Sequence, residues 1–131
     1  IYRGGSKDVV VVHINPLERS EVPRTAPQIF DRINEISFNS SLMREMRAIA
    51  FANKLVESGA FRGNEMKTML VHAIETEAVM KELGAASKFN ADWGFLTQLR
   101  DIGRNCAEEW LTANFEHLGA RSTIDVNTQY M

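Results

Sequence analysis

The 131-residue sequence lacks most of the features that announce a chemistry. It has a single cysteine, Cys106, so an internal disulfide and a zinc site built on paired cysteines are both excluded. No run of about 18 apolar residues occurs, and no basic stretch leading into an apolar core opens the sequence, so the segment offers no candidate membrane-spanning helix. Charge of one sign is missing too: 15 basic and 17 acidic residues are mixed along the chain, leaving a formal charge of −2. That balance gives no electrostatic footprint for nucleic acid, and direct DNA or RNA binding is not expected. No serine has glycines two positions before and two after it, as a nucleophile elbow requires; Ser6 has Gly4 before it but Asp8 after it. The three histidines, His13, His72 and His117, are far apart and none has a second ligand-type residue at metal-motif spacing. No catalytic, cofactor-binding or metal-ligating residue can be assigned from these patterns, and no cofactor is implied.

What is present is a globular composition, 44% hydrophobic and 24% charged, with no repeat or low-complexity tract, so residues 1–131 read as a single unit. The stretch KDVVVVHINP, Lys7 to Pro16, puts β-branched side chains on both faces of a strand at about 8–14. Such a strand normally lies inside a parallel sheet with neighbours beside it and helices over it. The rest of the chain offers few neighbours, and it begins at Ile1 instead of an initiator methionine, so the expectation is a piece of something longer. His13 interrupts the valine run and reads as a satisfied core histidine. Gly4 and Gly5 read as a flexible lead-in to the strand, although glycine-rich loops also form oxyanion holes.

Thr25, Ala26, Pro27 and Gln28 match a capping box, which opens a helix at about 26–57. Its apolar stripe runs through Ile29, Ile33 and Ile36, then Leu42, Met46, Ile49 and Ala50, with Gly59 as the C-terminal cap. The weak point is Ser37 to Ser41, whose polar side chains compete for backbone groups and can bend or break a helix. Met66 to Leu83 is ambiguous: its periodicity favours helix, while a part of it also fits a short buried strand. A second long helix is expected at about 91–118, capped by Asn90, with Asp92 against its dipole and a stripe of Leu96, Leu99, Cys106, Trp110 and Leu111. Cys106 reads as a buried, inert thiol. Glu75 with Glu77, and Glu108 with Glu109, read as solvated helix-surface pairs. Met43, Met46, Met66, Met69 and Met80 read as core filling, and Arg44 with Arg47 as a charge pair diluted by Glu45 and Glu57.

The succession KDVVVVHINPLERSEVPRTAPQIFDRINEISFNSSLMREMRAIAF, then ASKFNADWGFLTQLRDIGRNCAEEWL, and the closing HLGARSTIDV resembles the C-terminal portion of bacterial patatin-like phospholipases. The likeness covers about Asp8 to Val126. Its most specific parts are INP with EVPRT, RINEISFNSSL, and SKFNADW with LRDIGR. The resemblance implies a serine lipid acyl hydrolase acting on phospholipid or another acyl ester. Its serine sits in a glycine-flanked elbow, its aspartate in an Asp-Gly pair, and a glycine-rich loop supplies the oxyanion donors. None of these is present in this sequence, so no catalytic residue carries over, and the dyad is expected upstream. The expected fold is therefore an α/β fragment, predominantly helical. One or two buried strands, the first at about 8–14 and the alternative second at 68–74, would complete a larger patatin-like sheet. The resemblance moves Lys67 to Ile74 from helix toward strand. It also leaves room for peripheral contact with a membrane and for a cytoplasmic or membrane-peripheral location. The competing expectation is a stand-alone helical interaction module that forms a homo-oligomer through the Val9 to Ile14 strand.

Overall fold

The computed structural model describes residues 3–60, 66–76, 79 and 82–131. It is a mixed α/β chain, predominantly helical, with a two-stranded parallel sheet. Strand β1 (Asp8–His13) pairs with strand β2 (Leu70–Glu75). Helix α1 spans Ala26–Glu57, helix α2 Trp93–Asn114 and the short helix α3 Val126–Tyr130. Short 3-10 turns lie at Ala85–Phe89 and Phe115–His117. Glu77 and Met80 lie outside the described residues. Contacts group the chain into two compact units, one of residues 1–11, 41–73 and 114–131, the other of residues 12–40 and 74–113.

Helix α1 is continuous through the serine-rich stretch; Ser40 bonds back to the carbonyl of Ser37 at 2.9 Å without interrupting it. Its ends are those the sequence indicates. The amide of Thr25 donates to Gln28 Oε1 at 3.1 Å while the amide of Gln28 faces Thr25 Oγ1 at 3.5 Å, the reciprocal pair of a capping box. At the other end Gly59 takes φ +71°, and the amides of Gly59 and Ala60 return to Val56 and Leu55, closing the helix as a Schellman motif.

In the first unit, β2 is an extended segment because three partners claim its backbone. The Asn53 side chain bonds both the amide and the carbonyl of Met69, each at 2.9 Å. Ser122 Oγ accepts from the amide of Val71 at 3.0 Å, and the amide of Thr123 donates to the Val71 carbonyl at 3.1 Å. The helical periodicity of Met66 to Leu83 is therefore corrected over Leu70–Glu75: long-range hydrogen bonds outweigh a local pattern worth a few tenths of a kcal/mol per residue. Met46, Ile49, Ala50, Ala52, Met69, Val71, Val126 and Tyr130 form this unit's core.

In the second unit the expected stripe on α1 is inverted. Ile29, Ile33 and Ile36 are exposed, whereas Glu35 and Asn39 are buried. The reason is polar. Asn39 Nδ2 donates to the Pro16 carbonyl at 3.0 Å and its Oδ1 faces His13 Nε2 at 3.4 Å. Arg32 donates to the Leu17 carbonyl at 3.2 Å, and Arg19 Nε to Glu35 Oε1 at 3.2 Å. These bonds fix which side of α1 faces the 13–19 segment, and the isoleucines occupy the other side. Helix α2 has no fully buried residue; Leu96 and Leu111 of its expected stripe are exposed, and Cys106 and Trp110 half-buried. Asp92, not Asn90, caps α2 by accepting from the amide of Phe95 at 2.8 Å; Asn90 accepts instead from the amide of Asp92.

The sheet is asymmetric. Lys7 and Leu70 are bonded, the Leu70 amide donating to the Lys7 carbonyl at 2.9 Å. In a parallel ladder alternate residues face one neighbour, so the backbone groups of Val10 and Val12 face the other edge of β1. No third strand lies there among the described residues. The far edge of β2, by contrast, is occupied at Val71 by Ser122 and Thr123, and at Glu75 by the Cys106 thiol, which donates to its carbonyl at 3.0 Å. Side chains follow the same logic of alternation. His13 is buried and Val9 and Val11 half-buried, while Val10, Val12 and Ile14 stand 45%, 68% and 50% exposed.

Candidate functional site

The second unit contains a cavity of about 360 Å³, near the lower end of the range for small-molecule sites. The end of β1 and the Ile14–Pro16 bend form one wall, α1 contributes Asp31 and Glu35, and Leu99, Ile102 and Cys106 of α2 form another. Its lining is mainly aliphatic, from Val12, Ile14, Ile74, Leu83, Leu99 and Ile102. Polar side chains enter at several points, the ionisable ones being His13, Asp31, Glu35 and Lys88 and the neutral ones including Asn15, Asn34, Thr76 and Ser87.

His13 is buried, its Nε2 toward Asn39 Oδ1 and its Nδ1 3.8 Å from Glu75 Oε1. An imidazole between an amide oxygen and a carboxylate is held in orientation, as the sequence reading of a satisfied core histidine requires. Glu35 is also buried. Burial pushes its carboxyl up, but hydrogen bonds from Arg19 and Arg32, with the charges of both guanidinium groups, hold it below the usual carboxylate range. Cys106 is half-buried with its hydrogen directed at a backbone carbonyl, an arrangement of a thiol, not of a thiolate nucleophile.

The first unit holds a second polar cluster, at Asp8. The Asp8 carboxylate accepts from the amide of Gly119 at 2.7 Å and from His72 Nε2 at 3.0 Å; His72 Nδ1 faces Thr123 Oγ1 at 3.3 Å. Carboxylate, imidazole and hydroxyl in line have the order of a hydrolytic triad. Yet His72 is completely buried, and neither described cavity includes Asp8, His72 or Thr123. The arrangement works as a cross-link from β1 through β2 to the C-terminal segment. The sequence reading did not single out Asp8 or Thr123, since nothing in local spacing pairs residues 64 and 51 positions from His72.

The Gly4–Gly5 loop presents carbonyls: Lys67 Nζ donates to the Ser6 carbonyl at 2.6 Å and also to that of Gly4. An oxyanion hole needs amide donors, and this loop serves a cation instead. Ser6 Oγ accepts from the amide of Asp8 at 3.0 Å. Met46 and Met69 are core residues; Arg44, Arg47, Glu108 and Glu109 are exposed. Among the described residues no three His, Cys, Asp or Glu side chains are placed to hold a metal ion, and no helix is long and apolar enough to cross a membrane. Comparison of the chain with protein-family models, curated proteins and solved structures returns no match.

The clusters predict the acid limb of stability. The Gly119 amide, followed by His72, holds the Asp8 carboxyl below its ordinary value, and Glu35 is also lowered. A depressed folded value means that the unfolded chain binds protons first. The stabilisation is then complete above about pH 4, the unfolded carboxylate range, and is lost as pH falls through the lower folded values. Urea midpoints measured from pH 6 down to pH 3 should fall steeply below pH 4, and Asp8→Asn should flatten that slope. An unchanged slope in the variant would remove Asp8 from the account.

Proposed function

We propose that this chain is the C-terminal scaffold of a patatin-like serine lipid acyl hydrolase, acting on phospholipid or another acyl ester, with the nucleophilic serine and dyad aspartate in a portion upstream. The resemblance names the class. The observation that carries the reading here is the side of β1 on which no strand lies among the described residues, with Val10, Val12 and Ile14 on an exposed face. Full burial of each such side chain is worth roughly 1.5–3 kcal/mol, so a valine strand of this kind favours sheet neighbours and a covering layer. Because Ser122, Thr123 and Cys106 already occupy the far side of β2, those neighbours would add beside β1. The segments INP and RINEISFNSSL, among the most specific in the likeness, are joined by the Asn39 to Pro16 bond and the polar network around Glu35.

The test is to read the DNA upstream of Ile1 and assay two proteins on a p-nitrophenyl acyl ester. The expected frame encodes a glycine-flanked serine and then Asp-Gly; the extended protein turns over the ester, and this chain alone does not. Serine-dependent turnover by this chain alone would end the proposal. The same open edge favours a second reading, a stand-alone interaction module that hides β1 against another copy of itself. A discrete symmetric oligomer by light scattering would support that reading, and non-uniform association the first.

A further inference from the structure

In the first unit, helix α1 carries a cationic stripe on its outward side. Met46, Ile49 and Ala50 enter that unit's core, which turns Arg44, Arg47, Phe51 and Lys54 to solvent; all four are exposed, Phe51 by 63%. At about 100° of rotation per residue the four fall within about 80° of one another, and Glu45 lies about 100° or more from each of them. Glu57 flanks only Lys54, and no ion pair joins the two. Helical register thus removes the charge dilution that the order of residues suggests. Among the described residues no hydrogen bond or ion pair engages Arg44, Arg47 or Lys54. We infer that this stripe is a docking surface for an anionic lipid bilayer, the three cations meeting the headgroups while the Phe51 ring enters the acyl boundary.

The occupant follows from the charges and from the ring between them. The whole sequence has a formal charge of −2, so attraction to an anionic surface comes from a local patch or not at all. Covering the stripe with a folded layer would take three unpaired cations out of water, a cost that burial of one phenylalanine does not repay. Lipid headgroups supply the counter-charge and leave the cations hydrated, while the arginine and lysine stems lie along the apolar layer beside the ring. A nucleic acid offers the charge but no apolar layer for Phe51. The choice of lipid over an acidic protein rests on the proposed reading, since an enzyme that acts on phospholipid works at its surface. All four residues belong to one unit.

The test is to pellet the whole chain with sucrose-loaded vesicles, either of phosphatidylcholine alone or with one-third phosphatidylserine. Expected is binding to the anionic vesicles, weakened by salt, and little binding to the neutral ones; capture through the exposed face of β1 would ignore lipid charge. One cation at an anionic leaflet is worth about fivefold in partitioning, so Arg47→Gln should weaken binding about fivefold and the triple variant Arg44→Gln, Arg47→Gln, Lys54→Gln about a hundredfold. Helicity should hold, because glutamine is a good helix former. Phe51→Ser should weaken binding roughly tenfold and leave its salt dependence intact. Arg104→Gln, the same charge change at an exposed position of α2, should have no effect. The inference is overturned if the unmodified chain does not pellet with anionic vesicles, if its binding ignores lipid charge or salt, or if Arg104→Gln costs as much as Arg47→Gln. The ester assay fails separately: charge-dependent binding without turnover by the extended protein would end the hydrolase reading alone, and turnover without such binding would end this inference alone.

Discussion

Replacing His72 with alanine should lower the unfolding free energy by about 3–5 kcal/mol, read as a shift in urea midpoint by far-UV circular dichroism. Two terms add. The side chain is completely buried, so truncation opens a cavity of the kind that costs large-to-small core variants about 2–5 kcal/mol. It also strips Asp8 and Thr123 of the ring they share; a fully buried partner left so would cost about 1–3 kcal/mol, and these two, half-buried and with Asp8 still bonded to the Gly119 amide, add less. The two overlap, because water admitted to the cavity recovers part of the second. Asp8 is a carboxylate and only accepts, so His72 Nε2 carries the hydrogen toward it, and the Nδ1 side is the weaker link at 3.3 Å. Thr123→Val should therefore cost only about 1 kcal/mol. Since a small domain has roughly 5–15 kcal/mol in hand, His72→Ala alone would bring the chain near its unfolding threshold. A loss no larger than that of Thr123→Val would show that the cluster does not staple β1, β2 and the C-terminal segment together.

That cluster also marks the boundary of what the sequence discloses. Local rules were legible. The capping box at Thr25 and Gln28, the glycine stop at Gly59 and the β-branched run after Lys7 each act within a few residues, and the helix 26–57 has the limits they set. Bonds between distant residues were not legible. Asn53 reads as one polar residue on a helix, and nothing near it announces that its amide will hold Met69 extended. Ile29, Ile33 and Ile36 have the spacing of a buried stripe, yet Glu35 and Asn39 face inward because the 13–19 segment needs hydrogen-bond partners there. Periodicity states that a helix has two different faces; which one is covered depends on residues the period does not include. The cavity escaped for the same reason, being assembled from five separated stretches whose only sequence signal, Asn15 before Pro16, reads as the end of a strand.

The opposite sign of effect is expected on the bare side of β1. Val12 is exposed and its backbone faces the edge where no strand lies among the described residues, so Val12→Lys in this chain alone should change intrinsic stability by no more than about 0.5 kcal/mol. Its effect on association should be large. An unpaired strand with an apolar face is a template for other strands, and a lysine on such an edge is the commonest natural block. The unmodified chain should scatter light as species heavier than 14.8 kDa, and Val12→Lys should return it to that mass. If the proposed upstream portion exists, the same lysine in the extended protein would sit between sheet neighbours and a covering layer, where an unpaired ammonium costs several kcal/mol, so the variant should there lose both stability and ester turnover. Solubilisation of the short chain combined with damage to the long one distinguishes a strand awaiting its own sheet from one that is simply exposed. If Val12→Lys leaves the scattering mass of the short chain unchanged, β1 is not the associating surface, and the strand's exposure no longer argues for missing neighbours.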